Sequence, residues 1–217
     1  MKPLRHRTVI ALIIGAVGLA ALAGVGLYGL VGTTTDTPAA STPTTPALAN
    51  PAPTKVAPPT SLPHTNDPVT YAKAVARSLF VWDTASGQQP EDYQSVISED
   101  ADPSSVETSG LVNDLAAYFP TDTQWQQLRH YKTVETVTIV RAYIPAAWGQ
   151  AVASDPSAVR PGTTAVTIDA FRHRTGSWYE QSAATSDPVS FTVFLACQPT
   201  FPRCHILRLS GPNTPLK

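Results

Sequence analysis

An α+β domain, helices first and an antiparallel sheet second, held outside a membrane by one N-terminal span and a disordered linker, is the architecture the sequence predicts. Three observations lead there. Residues 9–32 (VIALIIGAVGLAALAGVGLYGLVG) contain no charged side chain. Residues 33–66 are dominated by Thr, Pro, Ala and Ser and offer almost nothing large to bury. From residue 67 the apolar positions recur first at helical spacing and then, past Tyr131, at the spacing of strands.

A helix over residues 9–32 would reach roughly 36 Å, enough to cross a hydrocarbon core of about 30 Å with some tilt. Lys2, Arg5, His6 and Arg7 precede it, and the next Lys or Arg is Lys55. The positive-inside rule therefore places residues 1–8 in the cytoplasm and the rest of the chain outside the cell membrane. Ala16, Ala20 and Gly24 recur at every fourth position, a surface on which two spans can approach closely. Ordinary small-residue content is the plainer account of that row. Ala21-Leu22-Ala23 has the small-x-small form of a cleavage site, which makes a removed signal peptide the alternative to an anchor. Against cleavage, the apolar run continues through Val25, Leu27, Tyr28, Leu30 and Val31.

The linker has prolines at 38, 43, 46, 51, 53, 58, 59 and 63. Such a composition cannot form a packed core. In extended, polyproline-like conformations its roughly thirty residues could hold the next domain some 90 Å from the membrane.

Residues 67–217 carry all four tryptophans and suit a single domain in size. Asp67-Pro68 reads as an N-cap followed by an N1 proline, and Val69, Ala72, Val75, Ala76, Leu79, Phe80 and Trp82 make a broad apolar stripe at helical spacing. Gly87 lies at or just past that helix's end. Pro90 to Ile97 reads as a short acidic helix, and a further helical region runs from Ser109 through Leu115 and Phe119, breaks at Pro120, and resumes through Trp125, Leu128 and Tyr131.

Strands follow. Val134 to Ile144 is rich in β-branched residues and ends at Pro145, and Thr163 to His173 repeats the pattern before Thr175-Gly176. Val189 to Cys197 and Cys204 to Leu209 complete a set of at least four strands, the last two forming a hairpin around QPTFPR. The connection from Ala146 to Pro161 shows no clear period, and its Trp148 could dock as a plug or edge cover. Helices segregated ahead of an antiparallel sheet place the helices on one sheet face. Cys197 and Cys204, the only cysteines, flank the hairpin loop in an oxidising exterior, so a disulfide is expected; a metal site with His205 or a reactive thiol are the alternatives.

The net charge of −1 conceals an asymmetry: between Arg77 and Arg129 there is no Lys or Arg, and nine acidic residues fall there. That acidic stretch lacks the spacing of a calcium loop and reads as a solvated face or a docking surface. No basic stripe interleaved with aromatics marks the exterior domain, so nucleic acid is not an expected partner. Phosphate loops, paired metal-ligand histidines and a G-x-S-x-G turn are absent from the sequence. No cofactor or metal is expected.

A basic N-terminus, one span, a linker and an exterior α+β domain resemble the VirB-type and TcpC-type bitopic components of conjugation and type IV secretion machines. The phrases DPVTYAKAVARSLFVWDT, FPTDTQWQQLRHY, PGTTAVTIDAFRHRTGSW and CQPTFPRC are similar to actinobacterial membrane proteins that accompany conjugative or integrative elements. The resemblance implies an exterior domain with the fold named after nuclear transport factor two, helices packed on a curved antiparallel sheet. It also implies a non-enzymatic scaffold that self-associates as a homo-oligomer and contacts other secretion-channel subunits in the membrane. The same fold hosts enzymes and small-ligand binders in a cavity between helices and sheet. For that alternative the candidates are Asp169 and His173, which share a strand face at even spacing, with Tyr143 on a neighbouring strand; the plainer reading makes Asp169, Arg172, His173 and Arg174 an exposed polar strand end.

Overall fold

The computed structural model describes residues 60–157, 159–179 and 181–217. The apolar run at residues 9–32, its Ala16, Ala20 and Gly24 row, and residues 33–59 lie outside the described residues. Among the described residues no helix is long and apolar enough to cross a membrane.

The first helix, α1 (Pro68–Phe80), begins as the sequence requires: the Asp67 side chain accepts a hydrogen bond from the Val69 N–H, and proline occupies the position whose missing N–H costs nothing. Its stripe of Tyr71, Ala72, Val75, Ala76, Leu79 and Phe80 is fully buried against the sheet. Tyr71 joins the apolar set because its hydroxyl finds the buried carboxylate of Asp100. Strand β1 (Trp82–Asp83) follows at once. Then come α2 (Pro90–Ser98), α3 (Thr108–Ala116) and α4 (Asp122–His130), the last opened by a reciprocal capping box between Thr121 and Gln124.

The sheet is built from β1, β2 (Val134–Tyr143), β3 (Thr163–Trp178), β4 (Gln181–Ala196) and β5 (His205–Leu209). Neighbours follow chain order, every pair is antiparallel, and the five strands curl into a half-barrel. Helix α1 lies in the concavity across β2, β3 and β4, with α2 against α1 and α3 against β5. The fold is therefore α+β, with α1 in the concavity of an antiparallel sheet as the change of period predicts, while α5 (Ala146–Ser154), inserted after β2, sets its Trp148 on the outer face beside Phe194.

Three features depart from the sequence reading. Strands β3 and β4 run on past Gly176 and back from Gln181, pairing from Thr163↔Ala196 to Trp178↔Gln181 as one long hairpin. Pro188 is tolerated inside β4 because β5 reaches only as far as Val193, which leaves that half of β4 without a strand on its second side among the described residues. The connection after β2 holds a helix, α5 (Ala146–Ser154), whose Trp148 ring packs edge-on to Phe194. Finally, residues 60–66, which composition assigns to the linker, dock on the domain: Leu62 is buried in the core, and the Thr65 carbonyl accepts from the Cys204 N–H.

The charge asymmetry also has a structural use. Asp102 meets Arg160, Asp114 and Glu107 meet Arg208, and Asp100 meets Arg203. Four carboxylates of the acidic stretch are thus counter-charges for the basic C-terminal part of the domain; Asp100, Asp102 and Asp114 are largely sheltered by these pairings, while Glu107 stays at the surface.

Candidate functional site

Between the helices and the concave sheet face, where this architecture can hold a cavity, side chains fill the space. The Trp82 and Trp125 rings stand 5.2 Å apart, Tyr93 lies 5.9 Å from Trp125, and Phe80, Tyr118 and Phe191 form a second aromatic triad with centroids 5.4 to 5.8 Å apart. At the margin of this packing sits Glu135, almost fully buried and held by two arginines from β3. Arg172 donates to Glu135 Oε2 at 3.0 Å and Arg174 donates to the same oxygen through Nε at 2.9 Å. Alternation makes this inevitable once the register is set. Glu135 pairs with Arg174, so the side chains of Glu135, Arg172 and Arg174 share the concave face, and the guanidiniums lie over the Phe80 and Trp82 rings. Trp82 Nε1, Trp125 Nε1, Glu135 Oε1 and Arg172 Nε have no hydrogen-bond partner among the described residues. Arg172 and Arg174 are therefore not an exposed polar strand end.

Asp169 and His173 occupy the opposite face. Val166, Ile168 and Ala170 point into the core, so Thr167, Asp169, Phe171 and His173 point away from the helices. The structure brings Asp169 and Tyr143 together but leaves His173 apart. Asp169 accepts from Arg141 Nε at 2.9 Å and from Ser190 Oγ at 2.6 Å, while Arg141 also lies over the Tyr143 ring. Burial pushes the Asp169 carboxyl up, but the Ser190 hydroxyl and the Arg141 guanidinium outweigh it and hold the group below the usual carboxylate range. A carboxylate so stabilised is a weak base. His173 sits between Thr138 Oγ1 at 2.9 Å and Ser186 Oγ at 3.1 Å, two rows further along the ladder. The groove beside Asp169, of about 470 Å³, is an outer-face depression that does not include His173. The space between helices and sheet is packed with side chains, and on the outer face Asp169 and Tyr143 share a groove while His173 serves separate polar contacts.

Cys197 and Cys204 form the expected disulfide, with Cα atoms 4.0 Å apart. Gly162 makes the bridge's surroundings possible: its φ of +78° and the Cys197 carbonyl, 2.5 Å from where a Cβ would stand, admit no other residue. His205 faces Asp100 with Phe201 edge-on to its ring, and both cysteine sulfurs are consumed, so the alternative metal set with His205 loses its thiolates. Tyr71, which also binds Asp100, has its hydroxyl pKa raised by burial and by that carboxylate. This cluster ties α1, the 100–102 segment and β5 together: the Asp102 N–H donates to the Ile206 carbonyl at 3.0 Å and covers the β5 edge.

Two surfaces escaped sequence reasoning. The first is the outer edge of β2. Strand β1 pairs with only Val134 and Glu135, leaving residues 136–143 without a strand on that side among the described residues, with Val140 and Ile144 more than half exposed nearby. The alternation of β-branched residues marks this strand but not its place at the sheet edge. The second is the β3–β4 tip, where Tyr131, Trp178 and Tyr179 cluster in the open. Reading the hairpin as ending at His173 hides it. No protein-family model, curated protein or solved structure matches the chain.

Proposed function

We propose that the chain is a non-enzymatic, membrane-anchored assembly protein whose exterior domain, of the nuclear transport factor two type, acts through protein contacts in a conjugative, type IV secretion-like machine. The support is the unpaired side of β2. A strand edge of this length presents unmet backbone donors and acceptors, and an added strand from another chain satisfies them in register. Arg141 and the register shift between Ile139 and Arg141 restrain indiscriminate pairing, which is the usual means by which a functional edge is kept from aggregating. The packed concave side and the stabilised Asp169 carboxylate favour this role over the cavity-based binder or enzyme.

The test is a photo-crosslinking side chain at Val140 of the full-length protein, activated in its native membrane. Adducts with other membrane subunits or with a second copy are expected. Recovery of monomer alone would overturn the proposal, and a Val140→Asp variant, which leaves the core untouched, should reduce the adducts.

A further inference from the structure

We infer that the tip of the β3–β4 hairpin, together with the turn after α4, is a docking surface for the headgroup region of an anionic lipid bilayer. This rests on the reading of residues 9–32 as a membrane span. The tip is an aromatic cluster built to be exposed: Trp178 and Tyr179 are 52% and 84% accessible, Tyr131 is 40% accessible, and the ring centroids are 5.1 Å (Tyr131–Trp178) and 4.7 Å (Trp178–Tyr179) apart. It is also fixed in place. The Ser177 N–H donates to the Tyr131 carbonyl at 2.7 Å, and at Gly176 an added Cβ would stand 3.2 Å from that same carbonyl, so the hairpin is drawn tight against the turn. Lys132 and Tyr179 both hold positive φ, conformations that such residues adopt only when their surroundings impose them.

Three observations select a lipid surface over other occupants. Tyrosine and tryptophan are the side chains that settle at headgroup depth, because each joins an apolar ring to a polar tip. Arg129 and Lys132 flank Tyr131 in the chain and are exposed, and the only acidic residue within three positions of Tyr131, Trp178 or Tyr179 is Glu180. That balance complements an anionic headgroup layer. Last, the chain length allows it. The chain joins the domain at the disulfide end of the sheet, where Thr65 meets Cys204, opposite the tip. A strand of β3's length spans about 50 Å, and a spacer over residues 33–59 reaches about 80 Å when extended. The tip can therefore swing back to the bilayer that holds the anchor, at the high effective concentration a tether supplies.

The experiment uses the full chain reconstituted into phosphatidylglycerol/phosphatidylcholine vesicles carrying brominated acyl chains near the headgroups, with tryptophan emission as readout. Emission should be quenched, and Trp178→Ala should abolish the quenched component, since Trp82 and Trp125 are buried and Trp148 packs on Phe194. Tyr179→Ala, at the most exposed ring, should weaken it without touching a fluorophore. Replacing Arg129 or Lys132 by Gln should lower the docked-to-undocked ratio about fivefold per charge on anionic vesicles, with little change on phosphatidylcholine alone. Vesicle flotation separates the two premises. A chain that floats without quenching overturns the tip proposal and keeps the anchor; a chain that does not float overturns both. Crosslinks between Tyr179→Cys copies with no lipid quenching would assign the cluster to a protein partner and overturn the proposal equally.

Discussion

The two ends of the β3–β4 hairpin share one ladder but little else. At the root, from Thr163 to Ala170 and Val189 to Ala196, side chains are buried on both faces: Val166, Ile168, Phe191 and Val193 against the helices, Thr167 and Thr192 beneath the segment ending at Lys217. Toward the tip, β4 is exposed at every position from Gln181 to Pro188. Backbone pairing is continuous through both halves, so the difference lies in what covers them. Root residues carry stability, and tip residues are free to carry recognition.

The largest expected effect strikes the root. Phe191 is fully buried and meets Phe80 and Tyr118 edge-on, so Phe191→Ala should cost about 3 to 5 kcal/mol in a denaturant titration. A loss under about 1 kcal/mol would mean that the aromatic triad is not the keystone of the concave face. Removing the Cys197–Cys204 bridge by paired serine substitution should cost about 2 to 3 kcal/mol, as expected for closure of so short a loop. Reducing agent should reproduce that loss in the wild-type protein and leave the variant unmoved.

Glu135 lies between the two regimes. Glu135→Ala strands Arg172 and Arg174 over Phe80 and Trp82 without their counter-charge, at about 2 kcal/mol, less than for a fully buried pair because both guanidiniums keep some contact with water. Equal stability in wild type and variant would show that solvent already neutralises the pair.

How much of this the sequence revealed depends on whether a signal was local. The Asp67-Pro68 start, the breaks around Pro120 and the β-branched run of β2 are written in consecutive residues, and each lies where the pattern puts it. The disulfide was legible for the same reason, since its two cysteines flank one loop. Glu135 and the two arginines were not, because 37 and 39 residues separate Glu135 from its partners and only the register of β2 on β3 brings them together. The hairpin's far half was obscured by Gly176 and Pro188, residues that ordinarily end strands. Here one permits a close approach to Tyr131, and the other sits where β5 has stopped. For Asp169 and His173 the sequence left two readings open, an exposed strand end or a cavity, because period two tells which residues share a face but not which face the helices cover.

Acid should weaken the 100–102 segment that closes the β5 edge beside the root. Burial pushes the Asp102 carboxyl up, but the Ser104 hydroxyl and N–H together with Arg160 outweigh it, so the folded pKa lies below the ordinary value. A group depressed on folding contributes fully above its unfolded pKa of about 4 and loses that contribution as the pH falls through its folded value. Asp102→Asn should therefore cost about 1 kcal/mol at neutral pH and flatten the acid limb of the stability curve. An unchanged acid limb would assign the sensitivity to Asp169 and Asp67, which are depressed in the same direction.

The smallest effect on folding is expected where the effect on membrane docking is largest. Trp178→Ala and Tyr179→Ala remove rings that are more than half in water, and the ladder beneath them is held by backbone bonds that neither substitution touches. Each should change stability by no more than about 0.5 to 1 kcal/mol, the range of an exposed aromatic contact. If Trp178→Ala instead unfolds the domain as Phe191→Ala should, the tip is part of the core and the division of the hairpin collapses. If stability holds while lipid quenching disappears, one pair of strands has been separated into a half that keeps the fold and a half that spends its exposed surface on a membrane.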